Sequence, residues 1–355
     1  MRDVDQRAGD YAQQIQANNV EVHNHGLSAA DVVEIAMVVF KQNFTELSES
    51  AMAKAFERVE QFTEVLMRRL QDLYPSGVES ASEPAIQRAI YSAQTEYATS
   101  GDWDLGHTLV DLLAERVSES SDSLHGIILT EALSVVPKLT KEQIASLSAI
   151  LAIRYTRHTP WRTVDDFYAG LRKILSPLIG KLPSSPAAYR HMAYAGVGTA
   201  TVTWDLLENL PKLYPALFTN GFTIDNVPEK LRPLADAIEH PFITARRHPF
   251  RLQLVYQNVD EMIAEGVARD PSKERNEYVE LLMSHLMQRN EVYDDLVQNI
   301  PEMDGFVIGW HDSPIGTFEL TTVGIAIARA NLARFYPELP DLDYYLDQAH
   351  LGWLQ

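Results

Sequence analysis

The sequence contains no cysteine among its 355 residues. This absence excludes disulfide bonds, zinc sites with thiolate ligands and cysteine nucleophiles, and it favours a reducing compartment. The opening residues, MRDVDQRAGDYAQQ, lack the apolar run of a secretory signal. No stretch reaches the roughly 18 uncharged apolar residues that a transmembrane helix needs. We therefore expect a soluble, cytoplasmic protein that does not cross a membrane.

Basic residues are scarce relative to acidic ones. Lys and Arg number 30 against 49 Asp and Glu, which gives a formal net charge of −19. A surface of this sign repels phosphate backbones and anionic lipid headgroups, so we expect neither nucleic acid nor a membrane as a partner. The chain also lacks HExxH, an EF-hand loop and the Rossmann glycine fingerprint. We therefore expect no cofactor and no metal, and the absence of a catalytic signature counts against an enzyme.

Apolar residues are plentiful, at 46% of the chain, and mostly follow a helical spacing. We predict an all-α fold of two helical subdomains, because 355 residues exceed the size at which a single core usually keeps growing. The boundary is placed near 180 to 186, where Pro, Gly and Ser concentrate. The chain then divides into an N-terminal strand or tail, a first helical domain and a second one, at residues 1–26, 27–182 and 183–355.

Cap residues predict where several helices begin. Ser28 with Asp31 resembles a capping arrangement, and Thr140 and Thr163 stand at the starts of two further apolar periodic segments. In the second half we predict, among other helices, one over 250 to 267. Glycines and Pro314 bracket the aromatic and β-branched residues between 306 and 320, which predicts a small C-terminal hairpin there.

An apolar seam runs through residues 50 to 74. Steps of three and four residues place its members on one helical face. The seam can pack within the chain, which we favour, or against a second chain as a short coiled coil. Its residues are Met52, Phe56, Val59, Thr63, Leu66, Leu70 and Leu73.

The segment QQIQANNVEVHNH, residues 13 to 25, is rich in Gln and Asn and alternates at its end like a β-strand. A lone strand has unpaired backbone groups, so it needs a partner, and the same segment of another subunit can supply one. The alternative is a disordered tail. The candidate oligomerisation residues are Ile15, Val20 and Val22 here, with Phe56, Val59 and Leu66 of the seam. His23 and His25 face the same side of such a strand, but no matching carboxylate accompanies them.

Three stretches resemble the best-marked segments of a family of uncharacterised bacterial helical proteins. They are AGDYAQQIQANNVEVHNHGLSAADV, LTKEQIASLSAILAIRYTRH and LTTVGIAIARANLARF, and the similarity covers most of the chain in order. None is a catalytic signature. Similar openings precede unrelated domains in other bacterial proteins, some of which look like defence components. The resemblance therefore implies a helical body and an assembly or regulatory role.

Two clusters of basic residues stand out against the acidic background. Paired guanidinium donors suit phosphate or carboxylate groups, although these clusters can also meet the chain's own acidic residues. The candidate ligands for an anionic small molecule are Arg154, Arg157 and Arg162 in the first cluster, and Arg246, Arg247 and Arg251 in the second.

Two further patterns have simpler structural explanations. His311, Asp312 and Ser313 are triad-type residues, but sequence neighbours do not converge on one point, and Ser313 before Pro314 indicates a turn. GVGT, at 196 to 199, lacks the lysine of a phosphate-binding loop, and a helix-helix junction explains it better.

From these observations we expect a non-enzymatic scaffold or sensor that forms a homo-oligomer through residues 9 to 25, alone or with the following helices, and acts in bacterial defence or stress response. The alternative is a helical enzyme or ligand-gated regulator that binds an anionic small molecule through the arginine clusters.

Overall fold

The computed structural model describes residues 28–43, 49–75, 83–120, 122–229, 231, 241–264 and 274–347. Helices dominate this part of the chain, which confirms the predicted all-α class. No helix within the described ranges is long and apolar enough to span a membrane. The α-helices are α1 (Ala29–Asn43), α2 (Glu49–Leu73), α3 (Pro84–Ser100), α4 (Trp103–Ser118), α5 (Leu124–Val135), α6 (Lys141–Ile150), α7 (Val164–Leu175), α8 (Pro186–Tyr194), α9 (Leu206–Leu213), α10 (Val259–Ala264), α11 (Glu274–Met283), α12 (Arg289–Asn299), α13 (Met303–Asp312), α14 (Thr322–Ala333) and α15 (Leu342–Leu346).

Four short strands form two antiparallel pairs in the described residues. One pair joins segments that lie far apart in sequence, and the other is a local hairpin with an irregular register. A buried π-helical segment, Leu151–Tyr155, continues α6. The strands are β1 (Gly198–Ala200) paired with β4 (Phe318–Leu320), and β2 (Phe242–Ala245) paired with β3 (His248–Leu254).

The predicted helix caps are present. Thr140 and Gln143 form a capping box at the start of α6, and Thr163 and Asp166 form another at α7. The Asp31 backbone amide donates to Ser28 Oγ at 3.2 Å, while the Ser28 amide donates to the Asp31 carboxylate at 2.8 Å. Each pair supplies partners for backbone amides that the first helical turn leaves unbonded.

Helix α14 lies at the centre of the largest hydrophobic core, which we call the main core. Nine of the twelve α14 residues are buried, and the helix packs against α4, α5 and α6. At Gly324 the segment just before β1 also comes close, since any Cβ atom there would overlap the backbone carbonyl oxygen of Val197. Side chains add links, since Asn331 Nδ2 donates to Ser148 Oγ at 2.9 Å. The main core thus extends on both sides of the predicted boundary at 182 and 183.

A smaller hydrophobic core, the satellite core, lies beside the main one. It gathers the β2–β3 hairpin, α10 and α11 around residues that do not belong to the main core. A hydrogen bond attaches it to the body, since Gln253 Nε2 of β3 donates to the Ala216 carbonyl oxygen at 3.2 Å, next to Leu217 and Phe218 of the main core. Its buried residues are Phe222, Val227, Leu231, Phe242, Leu254, Tyr256, Met262, Tyr278, Leu281 and Leu282.

The predicted hairpin over 306 to 320 is wrong. Met303–Asp312 is helix α13, whose buried residues Phe306, Val307 and Trp310 recur at helical spacing. A Cβ atom added at Gly309 would meet nothing within 4 Å, so this glycine lies on an open helix face rather than in a turn. The following strand, β4, pairs with β1 rather than with its own neighbours.

The helix predicted over 250 to 267 is also wrong in its first part. Residues 250 to 254 belong to β3, and the helix begins only at Val259. Pro249 cannot donate a backbone hydrogen bond and disfavours helix interiors. Residues 252 to 254 instead pair with β2, and the Leu252 amide and carbonyl bond to the backbone of Phe222.

The α2 seam packs within the chain, the alternative that we favoured. Val59, Thr63, Leu66 and Leu70 are buried, and α2 contacts α1, α3 and α4. Leu73, at the end of the seam, is exposed.

Candidate functional site

A groove opens between the main core and the satellite core, and we call it the junction groove. Its volume is about 540 Å³. Helices α7 and α12 of the main core form one wall, and the turn between β2 and β3 forms the other. Clefts between packed units are common places for ligand sites. The lining residues are Thr163, Val164, Asp165, Arg246, Arg247, Asp295, Gln298 and Asn299.

Arg247 is held rigidly by the body of the protein. Its Nη1 lies 2.6 Å from Asp295 Oδ1, and its Nε donates to the Leu217 carbonyl oxygen. The guanidinium also lies 5.1 Å from the centre of the Phe218 ring. Its side chain and that of Asp295 are only 15% and 16% exposed. Arg247 therefore neutralises Asp295 and fixes the hairpin turn to α12.

Tyr168 completes this arrangement from α7. Its hydroxyl donates to Asp295 Oδ2, so that carboxylate receives donors on both oxygens. Burial raises the pKa of Tyr168, and the neighbouring Asp295 raises it further. The phenol therefore stays protonated and keeps donating, which lowers the cost of placing Asp295 away from water.

Arg246 differs from Arg247 in its partners. Its Nη1 donates to the Ala216 carbonyl oxygen at 3.2 Å, and its backbone amide donates to Gln253 Oε1 at 2.8 Å. Within the described ranges no carboxylate forms an ion pair with it. Burial lowers the pKa of Arg246, and the nearby Arg162 cation lowers it further, against an opposing effect of Glu261. Among the described lining residues, Arg246 is thus the cation without a carboxylate partner, and an external anion can neutralise its charge.

The structure brings only part of the two predicted arginine clusters together. Arg162 lies near Arg246 but pairs with Glu261 at 2.7 Å, which links the start of α7 to α10 of the satellite core. Arg154 is buried elsewhere, where its Nη1 donates to the Phe318 carbonyl oxygen at 2.8 Å. Arg157 does not line the groove either, and burial lowers its pKa to about 10.

Arg251 lies outside the junction groove. Its Nη1 donates to the Asn220 carbonyl oxygen at 3.1 Å, and the side chain is exposed. Of the six predicted anion ligands, two line the groove, which are Arg246 and Arg247.

His158, next to the first cluster, has a structural role. It is buried, stacks on Trp161 with ring centroids 4.0 Å apart, and its Nε2 donates to the Ala152 carbonyl oxygen at 3.1 Å. Burial lowers the pKa of His158 to about 4. Beside it lies a small cavity of about 10 Å³, which has room for at most about one water molecule.

The triad-type residues and the GVGT segment form local structure. Ser313 Oγ accepts a hydrogen bond from the Ile315 amide at 3.4 Å and begins the short 3₁₀ helix Pro314–Thr317. GVGT does not join two helices directly, as we had expected, because Gly198 and Thr199 belong to β1.

The candidate oligomerisation residues fall into two groups. Ile15, Val20 and Val22, with His23 and His25, lie outside the described residues, so self-association through that segment stays a prediction. Val59 and Leu66 are buried in the chain's own cores, and Phe56 is half-buried against Phe40, with ring centroids 5.6 Å apart.

Sequence reasoning missed the α12 wall of the junction groove. Asp295, Gln298 and Asn299 recur at helical spacing and so share one face. Their pattern is typical of a solvent-exposed helix face. Nothing in the sequence links them to Arg246 and Arg247, about 50 positions earlier. In the described ranges no group of three or more His, Asp or Glu side chains is arranged to hold a metal ion.

No curated protein and no solved structure is significantly similar to this chain. The model of an uncharacterised protein family matches residues 26–345. The match contains α1 to α14, all but the last residue of α15, and both walls of the junction groove. Since it extends over most of the sequence, the chain belongs to that uncharacterised family.

Proposed function

We propose that the protein is a non-enzymatic sensor that binds a small, anionic polar molecule in the junction groove. The observation that carries this proposal is the placement of Arg246. Its guanidinium is held in place by the Ala216 carbonyl, lies beside the first turn of α7, and has no carboxylate partner in the described part of the chain. A carboxylate or phosphate group of a ligand would supply that partner.

The start of α7 supports an anion at the same place. Helix amides of the first turn point toward the groove end of α7, and the helix dipole is positive there. Thr163 and Asp166 accept hydrogen bonds from one another's backbone amides, so part of the α7 N-terminus is already occupied. Arg246 therefore contributes most of the positive charge that would attract the anion.

The opposite side of the groove would recognise the rest of the ligand. Gln298 of α12 offers a hydrogen-bond acceptor, whereas the Asp295 carboxylate is already occupied by Arg247 and Tyr168. The Asp165 carboxylate, in the first turn of α7, would accept from a donor group of the ligand next to its anionic group. The groove therefore suits a molecule with one anionic group and hydroxyl or amine donors elsewhere. A ligand in contact with both walls would link the satellite core to the main core. Binding would in this way stabilise the packing of the two cores against each other.

The proposal is tested by calorimetric titration of the full chain with a small panel. Inorganic phosphate and a sugar phosphate represent phosphate ligands, and citrate and glutamate represent carboxylates. Arg246→Gln should weaken the binding of the active compound about tenfold or more, because it removes one charged hydrogen-bonding partner.

Arg68→Gln is the matched control. It removes the same charge from an exposed position of α2 that does not line the groove, and it should bind as the wild type does. Equal binding by wild type and Arg246→Gln would contradict the proposal, as would equal loss in both variants.

A further inference from the structure

The exposed end of the β2–β3 hairpin presents an aromatic residue to solvent. Thr244 pairs with Leu252 and Ala245 with His248, so residues 249 to 251 face no partner in β2. An irregularity of this kind redirects side chains away from the sheet. Phe250 is 88% exposed, and the His248 ring lies against it with centroids 6.4 Å apart. We call His248, Pro249, Phe250 and Arg251 the hairpin tip.

The hairpin tip differs from the rest of the protein in charge. Arg251 is exposed next to Phe250, in a chain whose net charge is −19. An exposed aromatic side chain flanked by arginine is typical of the anchor of a protein interface. The charge suggests that the complementary surface is apolar in its centre and acidic at its edge.

One surface with that chemistry lies on α5 of the same chain. Leu124 and Ile127 are 69% and 47% exposed, and Glu131 is exposed one turn further on. Spacings of three and four residues place these side chains on one face. The opposite face of α5 is buried in the main core. We call Leu124, Ile127 and Glu131 the α5 stripe.

Acidic residues also border the α5 stripe. Asp122 is exposed just before α5, and the Asp343 side chain is 76% exposed while it pairs with His125 at 3.1 Å. The stripe therefore has an apolar centre and an acidic edge, and its chemistry complements that of the hairpin tip.

We propose that the hairpin tip of one copy docks on the α5 stripe of a second copy. Phe250 would contact Leu124 and Ile127, while Arg251 would lie near Glu131. Both halves of the contact belong to this chain, so a second copy provides the partner without any further protein. The contact does not involve residues 9 to 25 and does not depend on the proposed ligand.

Such a contact is head-to-tail, because each copy contributes a different surface to each junction. Repetition then forms a closed ring or an open chain, according to the rotation between neighbours. The contact area is small and copies of like net charge repel one another, so we expect weak, concentration-dependent association.

The test is sedimentation velocity of the full chain over a range of concentrations, up to the highest that stays dissolved. Phe250→Ser and Leu124→Ser should each weaken association about tenfold or more, since each removes one side of the apolar contact. Both positions are exposed, so the variants should keep the helical fold, which circular dichroism checks. Val202→Ser, at a residue 82% exposed and outside both surfaces, is the matched control and should associate as the wild type does.

A mixture of the two defective variants gives the sharpest result. Phe250→Ser retains an intact α5 stripe, and Leu124→Ser retains an intact hairpin tip. These two surfaces should bind one another and form a heterodimer. No further copy can be added, because the surfaces left free carry the substitutions. The mass of the heterodimer would be twice 40.0 kDa, in a one-to-one ratio. Neither variant should form this species alone.

Three results would overturn the proposal. They are a wild-type chain that stays monomeric throughout, association that neither variant weakens, and a mixture that forms no heterodimer. Association that neither variant weakens would place the interface on another surface, such as residues 9 to 25.

Discussion

Neighbouring arginines of the β2–β3 turn perform different tasks in this protein. Arg247 is committed to Asp295, Leu217 and the Phe218 ring, while Arg246 keeps its charge available to the junction groove. Sequence composition favours both residues equally for anion binding. Only the packing of α12 against the hairpin turn distinguishes them, because it brings Asp295 to one arginine and not to the other.

Removing Asp295 should destabilise the fold. Asp295→Ala leaves the Arg247 cation and the Tyr168 hydroxyl, both largely buried, without their acceptor. We expect the free energy of unfolding in urea to fall by about 3 kcal/mol, the cost of breaking a buried ion pair. Asp295→Asn keeps an acceptor for Tyr168 and should lose less. Glu64→Ala, at the exposed pair with Arg68, should change little. Equal stability of Asp295→Ala and wild type would show that the ion pair is not stabilising.

His158 should make the fold sensitive to acid. Its pKa is about 4 in the folded chain against an ordinary value of 6.5, because burial disfavours the charged ring. Between these two pH values the unfolded chain binds a proton and the folded chain does not. Stability should therefore fall as pH decreases from about 6.5 to about 4, by about 3 kcal/mol for this residue.

The measurement is urea unfolding at several pH values across that window. His158→Gln keeps a donor for the Ala152 carbonyl but removes the titrating group, so its stability should decrease less over the same range. Parallel curves for the variant and the wild type would assign the acid sensitivity to other groups.

At the scale of elements, local signals identify helix starts well and strand partners poorly. Thr140 and Thr163 lie three residues before the groups that they cap, so a short window of sequence contains the whole interaction. β4 pairs with β1, far upstream, and no local pattern indicates that partner. Glycines in α13 resemble turn signals until the buried face of Phe306, Val307 and Trp310 is considered.

Two helical glycines should respond in opposite ways to the same substitution. Gly324→Ala places a methyl group on the Val197 carbonyl oxygen and should destabilise the fold, although alanine favours helices. Gly309→Ala meets no neighbouring atom within 4 Å and should stabilise by about 0.5–1 kcal/mol. Thermal unfolding of both variants measures the difference. A stabilising Gly324→Ala would mean that α14 is not in close contact with the Val197 backbone, just before β1.

For the molecule as a whole, the helical class follows from composition and periodicity, whereas the candidate site does not. The junction groove exists because α7, α12 and the β2–β3 turn meet, and they come from three separate parts of the sequence. Arg246 and Arg247 could be proposed as ligands from their residue type. Their neighbours Asp295, Gln298 and Asn299 could not, since long-range packing alone places them there.

The main core makes a prediction about cooperativity. Helix α14 follows the predicted boundary at 182 and 183, yet it packs against α4, α5 and α6, which precede it. We therefore expect the body to unfold in a single transition, with coincident curves by tryptophan fluorescence and far-ultraviolet circular dichroism. Trp161 and Trp310 are both buried and lie on either side of the boundary, so fluorescence reports on both halves.

A fragment of residues 28–182 provides the decisive comparison. It lacks α14, so α4, α5 and α6 would expose the apolar faces that α14 covers in the full chain. Burial of such faces is the main source of folding free energy, and we expect the fragment to show no cooperative thermal transition. A fragment that folds alone, or a full chain that unfolds in two steps, would instead support two separate helical domains. A fragment that folds alone would also mean that the small residues of α14 form an interface between two independently folded domains and are not part of one shared core.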